Sequence, residues 1–379
     1  MPNLPRIPSH STLSYLLLVL TAVSGEYPTA QVIRLPGGVS YKQSLLTQLK
    51  QSKLLRTYYR NGLRGLRLTA AAKAMLLAGE PDRFRPYLTG DIETNVLKSE
   101  VTRRLRLHRM AEVLTTMFNA DIAVFDWEKD RLFLPSATCP LDPILPSYYN
   151  SREVKSLGPQ AAKIRGSRSA GVLLADGGIF IVYNTGPGMM KWEYRAEMRM
   201  KALIQTELCG HRLSSRFHSA AIHGLLFGSS MDVLLTLMPN TSACRRNYFI
   251  LDGNFDSFYY LVSDHRGEVI LQLLCCPKRR AVLDSILLEN LNPKKPGWAI
   301  EHDAVDEAGA PVIFAYTCDM PRIQRFDTAL SLQDQTGVLI CFDFQEPALR
   351  QICGPYVTIQ SIDFEAYERS VFPLEKDSD

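Results

Sequence analysis

A tight-turn signal near the start of the chain constrains the fold more than any other feature. Two β-prone runs, LLRTYYR and LRGLRLT, are joined at Asn61-Gly62. This dipeptide readily supplies the two consecutive positive φ angles of a type I′ turn, whose twist matches that of the strands it joins. The sequence therefore predicts a two-stranded antiparallel hairpin here.

Helical patterns surround the predicted hairpin on both sides. Apolar periodicity, Gly and Pro stops, and Ser or Thr caps indicate four helices. Helix, helix, helix, hairpin, helix is the plan of a winged helix-turn-helix domain, which we predict over residues 12–80. In chain order, the predicted helices are Ser14 to Ser24, Pro28 to Leu35, a helix with Ser40 as its N-cap that reaches Leu55, and Ala70 to Leu77 after the cap Thr69.

Charge is distributed unevenly along the chain. Residues 1–110 contain 17 Lys and Arg against 6 Asp and Glu, a net charge of +11, whereas the whole chain carries +4, which leaves −7 for the remaining residues. A basic module attached to an acidic body is typical of proteins that bind a polyanion such as double-stranded DNA. The alternative is a solvated basic face without a partner.

Polar and basic side chains lie along the predicted third helix and the predicted hairpin. A helix fits the major groove, where its side chains can read base edges, and a basic hairpin can reach phosphates and the minor groove. Such binding weakens as salt rises. Protein docking and a purely structural role are the alternatives. The predicted DNA-binding residues are Tyr41, Lys42, Ser44, Thr47 and Gln48 on the helix, and Lys50, Lys53, Arg56, Arg60, Arg64 and Arg67 on or beside the hairpin.

The remainder of the chain predicts a linker, a basic helix and an α/β body. Residues 81–96, rich in Pro, Gly and mixed charge, predict the linker. The helix, Leu97 to Asn119, either extends the DNA-binding surface or covers the next domain. Strands then alternate with helices, which favours an α/β (α+β overall) fold. Residues 97–210 form one predicted domain, and residues 211–379 continue it or form a second C-terminal α/β domain.

Individual elements of this body are predicted from short patterns. IAVFDW, RLFLP and GEVILQLLCC are grouped with the strands. A hairpin turns at Asp176-Gly177-Gly178, and a helix covers Lys191 to Leu208.

Carboxylates in the body have structural explanations that compete with catalysis. A metal-dependent nuclease needs two or three of them around a divalent ion. The hairpin offers Asp176, and the next helix offers Glu193 and Glu197, but the central strand reads Val182-Tyr183-Asn184 without an acid. A DGG turn explains the aspartate, and the glutamates suit the solvent-facing side of an amphipathic helix. No catalytic residue, metal ligand or cofactor is therefore predicted.

Other enzyme signatures are missing from the sequence. Without a GxxxxGK[ST] phosphate loop, Asp343 in GVLICFDF is an ordinary strand-end residue. The pairs Tyr148-Tyr149 and Tyr259-Tyr260 would serve a relaxase beside a histidine cluster, yet the seven histidines form no such motif, and paired tyrosines in strands usually pack. Eight cysteines without a CxxC pair predict reduced core residues.

Three motifs resemble the replication-relaxation family of plasmids and integrative elements. They are LRLTAAAKAML, RLHRMAEVL, and GIFIVYNTG followed by KWEYRAEMRMKAL, within residues 12–210. The resemblance implies a nuclease-like α/β domain, with a restriction-endonuclease-like fold as one option, and a role in plasmid replication, relaxation or transfer. Family members often carry acids where this chain has Val182-Tyr183-Asn184, which implies a DNA-binding member with a non-catalytic scaffold.

The expected protein is a cytoplasmic DNA-binding protein of a mobile element. Its expected partners are double-stranded DNA and replication or transfer proteins, with a homodimer as an option and no membrane association. A metal-dependent DNA nickase or relaxase and a transcriptional regulator with a ligand- or protein-sensing body are the alternatives. Leu13 to Val23 also resembles a signal peptide, but the same residues supply the first predicted helix, which the next two helices need for a core.

Overall fold

The computed structural model describes residues 6–90, 96, 99–135, 140–157, 164, 166–238, 255–294 and 297–371. The chain divides into two compact units, Met1–Asn119 with Val124–Asp130 and Ala120–Ala123 with Arg131–Asp379. We call them the N-terminal unit and the C-terminal unit and describe each by itself. Both combine helices with sheets, so the chain is a mixed α/β protein, α+β overall.

The N-terminal unit arranges its helices around a small antiparallel sheet. Its elements are α1 (Leu13–Ser24), β1 (Tyr27–Pro28), a 3₁₀ helix (Thr29–Arg34), α2 (Val39–Gln51), β2 (Leu55–Arg60), β3 (Leu63–Leu68), α3 (Ala70–Gly79), α4 (Pro81–Leu88) and α5 (Val101–Asn119). The strand order is β1-β3-β2. Tyr27 pairs with Leu66, and the β2–β3 ladder extends to the pair Arg60 and Leu63.

The hairpin formed by β2 and β3 has the predicted turn. Asn61 and Gly62 have φ angles of 52° and 77°. Both central residues therefore adopt the left-handed region that a type I′ turn requires, and Asn and Gly enter this region at the lowest steric cost. The local signal was sufficient because the turn geometry depends on these two residues.

Helix capping agrees with the sequence at α3 and differs at α2. Thr69 Oγ1 accepts a hydrogen bond from Ala72 N at 3.2 Å and so caps α3, as predicted. The predicted Ser40 cap is wrong, because α2 already begins at Val39 and no side chain caps it. This helix ends at Gln51, before the predicted end at Leu55, since the residues that follow it lead into β2.

The predicted linker and the predicted start of the second domain both need correction. Pro81–Leu88 form α4, because proline at a helix start forfeits no hydrogen bond and three apolar side chains of the segment, Phe84, Tyr87 and Leu88, are buried. Residues 91–95, 97 and 98 lie outside the described part of the chain. The basic helix α5, predicted to open the domain 97–210, belongs instead to the N-terminal unit.

The C-terminal unit contains two mixed sheets flanked by helices. Its strands are β4 (Ser147–Asn150), β5 (Gly171–Ala175), β6 (Gly178–Gly186), β7 (Ile222–Gly228), β8 (Phe258–Val262), β9 (Asn292–Pro293), β10 (Ala304–Val305), β11 (Pro311–Phe314), β12 (Gly337–Phe342) and β13 (Val357–Ile362). Its helices are α6 (Ser151–Lys155), α7 (Tyr194–Ile204) continued by a π-helix (Gln205–Arg212), α8 (Ser214–Phe217), α9 (Met231–Leu235), α10 (His265–Cys275), α11 (Pro277–Leu288), α12 (Met320–Gln333), α13 (Glu346–Ile352) and α14 (Phe364–Val371).

Each of these sheets combines antiparallel and parallel pairs. The first has the order β4-β5-β6-β7-β8, antiparallel from β4 to β6 and parallel from β6 to β8. The second has the order β13-β12-β11-β10-β9 and is parallel among its last three strands in sequence. Every residue of β5 and β6 is buried, which is typical of central strands covered on both faces. The predicted hairpin at Asp176-Gly177-Gly178 is confirmed.

Three of the strand predictions for this unit are wrong. IAVFDW and RLFLP form no strand, and in the first of them only Ala123 makes an isolated bridge, to Ser147. GEVILQLLCC lies in α10, whose start is capped by Asp264 Oδ1 accepting from Arg266 N at 3.0 Å. A run in which nearly every residue is apolar is compatible with both a buried strand and a buried helix. Here the N-cap residue Asp264 favours the helix.

Cysteine and membrane predictions can be compared with the described residues. The six cysteines among the described residues are free, and four of them, at 209, 275, 318 and 341, are buried, as expected of core thiols. Cys139 and Cys244 lie outside the described part of the chain. None of the helices described here combines the length and the apolarity that a bilayer crossing requires.

Candidate nucleic-acid interface

One face of α2 is polar and open to solvent. Leu45 and Leu49 anchor the opposite face in the core, with 4% of each side chain exposed. Helical periodicity therefore turns the polar positions outward, where they are available to a groove or a partner surface. The exposed residues on this face that were predicted to bind DNA are Tyr41, Ser44, Thr47, Gln48 and Lys50.

Lys42 departs from that prediction. It is 7% exposed, and its Nζ donates a hydrogen bond to the carbonyl oxygen of Ile33 at 2.7 Å. The amine thus satisfies a carbonyl near the end of the 3₁₀ helix and fixes the approach of that helix to α2. Its assignment as a DNA contact is corrected to a structural role.

The hairpin and the residues that lead into it carry exposed cations. Lys53, Arg56, Arg60 and Arg64 are all exposed. The guanidinium of Arg64 lies 5.5 Å from the ring centroid of Tyr59, which is 64% exposed. Stacking of this kind orients the cation without neutralising it.

Arg67 is the second site residue that the structure removes from the surface. It is 3% exposed, and its Nε and Nη2 donate to Glu26 Oε2 at 2.8 and 2.5 Å. Its guanidinium also lies 3.8 Å from the ring centroid of Tyr58. Alternation along a strand predicts an outward arginine, but the last four residues of β3 are buried on both faces, so the predicted DNA contact is wrong.

Glu26 is the centre of a buried cluster that sequence reasoning missed. Arg104 on α5, which is 0% exposed, donates from Nη2 to Glu26 Oε1 at 2.6 Å. His108 Nε2 lies 2.8 Å from the same oxygen. Burial opposes ionisation, but hydrogen bonds from His108, Arg104 and Arg67 outweigh it and lower the pKa of Glu26 to about 2.

Arg104 also holds the hairpin. Its Nη1 donates to the carbonyl oxygen of Arg60 at 2.9 Å, and its Nη2 donates to the carbonyl oxygens of Leu63 at 3.1 Å and Tyr58 at 3.3 Å. Arg60 and Leu63 flank the turn. The direction in which the hairpin projects is therefore set by a helix some forty residues away in the sequence.

One feature of the sequence points to this cluster, a long segment without acidic residues. No Asp or Glu lies between Glu26 and Glu80, although the segment contains nine Lys and Arg residues. Within this segment, every charged side chain that could pair with Glu26 is therefore a cation. The lack of acids also means that α2 and the hairpin contribute no negative charge, so their exposed cations produce a positive potential.

The acids considered for catalysis in the C-terminal unit have different surroundings. Asp176 Oδ1 accepts from Arg216 Nη2 at 2.5 Å, and Glu193 is exposed at the start of α7. Glu197 is 2% exposed, so its predicted place on the solvent-facing side of the helix is wrong. It accepts hydrogen bonds from Ser167 Oγ at 2.8 Å, Arg168 N at 2.6 Å and Tyr183 Oη at 3.1 Å.

These contacts give Glu197 a structural place in the fold. Burial raises its pKa, against the opposing effect of its hydrogen bonds. The hydroxyl of Tyr183 connects it to β6, and the amide of Arg168 connects it to the segment before β5. The carboxyl therefore joins α7 to the sheet, and the described residues contain no group of three His, Cys, Asp or Glu that could hold a metal ion.

The tyrosine pairs pack in the core, as the structural explanation predicted. Tyr148, Tyr149 and Tyr260 are at most 2% exposed, and Tyr259 is half-buried. Tyr148 Oη donates to the carbonyl oxygen of Ala170 at 2.9 Å. Burial raises the pKa of Tyr148 and of Tyr260, which disfavours the phenolate that a nucleophile would need.

Comparison with known proteins gives no match: no family model, no curated protein and no solved structure is similar enough to this chain to align with it.

Proposed function

We propose that the N-terminal unit is a winged helix-turn-helix domain that binds double-stranded DNA. In this proposal α2 is the recognition helix and the β2–β3 hairpin is the wing. The order of α1, β1, the 3₁₀ helix, α2, β2 and β3, with β1 paired to β3, supports this assignment. A recognition helix enters the major groove, and a wing contacts the adjacent backbone.

One observation carries the proposal. The cations Lys50, Lys53, Arg56, Arg60 and Arg64 are exposed on α2 and the hairpin, in a segment without a single acid. Exposed cations of one sign repel each other, and a phosphate backbone relieves that repulsion while releasing its own counterions. The polar face of α2 then supplies hydrogen-bonding groups for base edges.

For the whole chain, we propose a DNA-binding protein of a plasmid or integrative element that acts in replication, relaxation or transfer. The motifs that resemble the replication-relaxation family lie in the end of β3 with α3, in α5, and in β6 with α7. The C-terminal unit is proposed as a nuclease-like scaffold for dimerisation or for replication and transfer proteins. Buried Glu197, engaged by Ser167 and Tyr183, favours the scaffold over a catalytic role.

The test is binding of the full-length protein to duplex DNA from its own genetic neighbourhood, measured by fluorescence anisotropy across a salt series. The variant Lys50→Ala/Arg60→Ala/Arg64→Ala is expected to weaken binding and to flatten the logarithmic salt slope by about 2 to 3, at about 0.9 per phosphate contact. The matched control Arg195→Ala/Lys278→Ala/Lys294→Ala removes three exposed cations of the C-terminal unit and should leave the slope unchanged.

Equal slopes for the wild-type protein and the triple variant would contradict the assigned surface.

The nickase alternative is tested with supercoiled plasmid and Mg²⁺ or Mn²⁺. Nicking that disappears on changing Asp176 or Glu197 would overturn the scaffold assignment.

A further inference from the structure

The outer side of α5 carries two arginines that the hairpin surface does not include. Arg103 and Arg106 are exposed, whereas Arg104 between them is fully buried and Leu107 is 3% exposed. The helix thus buries one face against the sheet and turns these two guanidinium groups outward. They belong to the same helix turn as the residue that holds the hairpin.

The contacts of Arg104 place this turn of α5 beside the hairpin tip. Its guanidinium bonds to the carbonyl oxygens of Arg60 and Leu63, on both sides of the Asn61-Gly62 turn. The first turns of α5 and the hairpin tip are therefore separated by no more than the length of one arginine side chain. The exposed cations of the hairpin tip and of this turn of α5 are therefore carried by adjacent elements.

The charges of the two outward arginines are largely uncompensated. Within the described part of the chain, Arg106 has no hydrogen-bond or ion-pair partner. Arg103 Nε lies 3.0 Å from Glu100 Oε2, with both side chains about 60% exposed. A solvated pair of this kind contributes little, and a phosphate can replace the glutamate. By contrast, the buried Arg67 and Arg104 share Glu26 as a counter-charge.

We propose that Arg103 and Arg106 contact the phosphate backbone of the same DNA duplex, beyond the wing. The inference depends on the proposed function, because it takes the hairpin to lie on DNA. The bound site then extends past the wing tip, and α5 acts both as the support of the wing and as a second phosphate-binding element. Neither role requires reading of the base sequence.

The test compares Arg103→Ala/Arg106→Ala with the wild-type protein in the same anisotropy assay on a long duplex. The salt slope is expected to flatten by about 1 to 2, and affinity should fall about equally for unrelated sequences. On duplexes shortened step by step from the wing side, wild type should lose affinity until it equals the variant. Arg6→Ala/Arg85→Ala, a change of two other exposed arginines of this unit, is the matched control.

The outcomes separate this inference from the proposal it depends on. If the double variant binds like wild type while Lys50→Ala/Arg60→Ala/Arg64→Ala loses affinity, the α5 contact is refuted and the wing assignment stands. If neither variant changes binding, the α5 contact and the assigned wing surface are both refuted, and if wild type itself does not bind duplex DNA, the proposed function fails. A double variant with a lower unfolding temperature and unchanged DNA affinity would also overturn the inference, because it would make the two arginines structural.

Discussion

Glu26 in the N-terminal unit and Glu197 in the C-terminal unit are both buried, at 1% and 2% exposure, but are held in opposite ways. The first meets two guanidinium groups and an imidazole, and hydrogen bonds from these groups overcome burial and lower its pKa to about 2. The second meets two hydroxyls and a backbone amide, and burial raises its pKa. Burial therefore does not decide the charge of a carboxyl by itself; the chemistry of its partners does.

The largest expected difference between the two acids is in stability. Glu26→Gln leaves the buried guanidinium groups of Arg67 and Arg104 without their counter-charge, and we expect a loss of about 3 to 5 kcal/mol for the N-terminal unit. Hydrogen exchange of the β2 and β3 amides in the full-length protein measures this loss where it occurs. It also separates the response of this unit from that of the other.

Glu197→Gln is the matched control, since it removes an ionisable carboxyl from a site whose partners are mostly neutral. We expect a loss of about 1 kcal/mol, because a glutamine keeps an acceptor and the two hydroxyls can rotate. Equal losses of stability in the two variants would show that the cations around Glu26 do not need its charge. The contrast between the two carboxyls would then be wrong.

The Glu26 cluster also marks the limit of what the sequence predicted. The hairpin and the start of α3 depend on residues within a few positions of each other, so Asn61-Gly62 and Thr69 predicted them. The cluster joins position 26 to positions 67, 104 and 108, and no local pattern connects these. For that reason the sequence predicts a DNA contact for Arg67, and likewise for Lys42, because the carbonyl that it contacts belongs to another element.

The next largest difference between Glu26 and Glu197 is expected in how the stability of their surroundings changes at acid pH. The folded pKa of Glu26 is lowered, so its contribution is complete above about 4.5, the ordinary value, and is lost as the pH falls toward about 2. Protection of the β2 and β3 amides should therefore fall over this range in wild type and change less in Glu26→Gln. A variant with the same acid sensitivity as wild type would assign the transition to other carboxyls.

Glu197 should show the opposite sign. Its folded pKa is raised, so its contribution is complete below the pKa of the unfolded chain and is lost as the pH rises through the folded value. Exchange of the β5 and β6 amides should slow on mild acidification in wild type, relative to Glu197→Gln. If exchange changes equally in the variant and in wild type, the pKa of Glu197 is not raised in the folded protein. The contrast between Glu26 and Glu197 would then be wrong for Glu197.

An exposed cluster on the C-terminal unit supplies the smallest effect and shows what solvent does to the same chemistry. His265 at the start of α10 lies between Glu268, 3.5 Å from Nδ1, and Glu368 of α14, which contacts Nε2. Hydrogen bonds with Glu268 and Glu368 raise the pKa of His265 to about 9 despite partial burial. The stabilisation is therefore complete below about 6.5, the ordinary value, and is lost as the pH rises through about 9.

Because the His265 side chain is 64% exposed, we expect less than about 1 kcal/mol from this cluster. An NMR titration of the imidazole should give a pKa well above the ordinary histidine value, and Glu368→Gln should lower it while slightly increasing exchange in α14. An imidazole that titrates at the ordinary value would show that solvent cancels the two carboxylates here. The strong response of Glu26 would then depend on exclusion of water as much as on its cations.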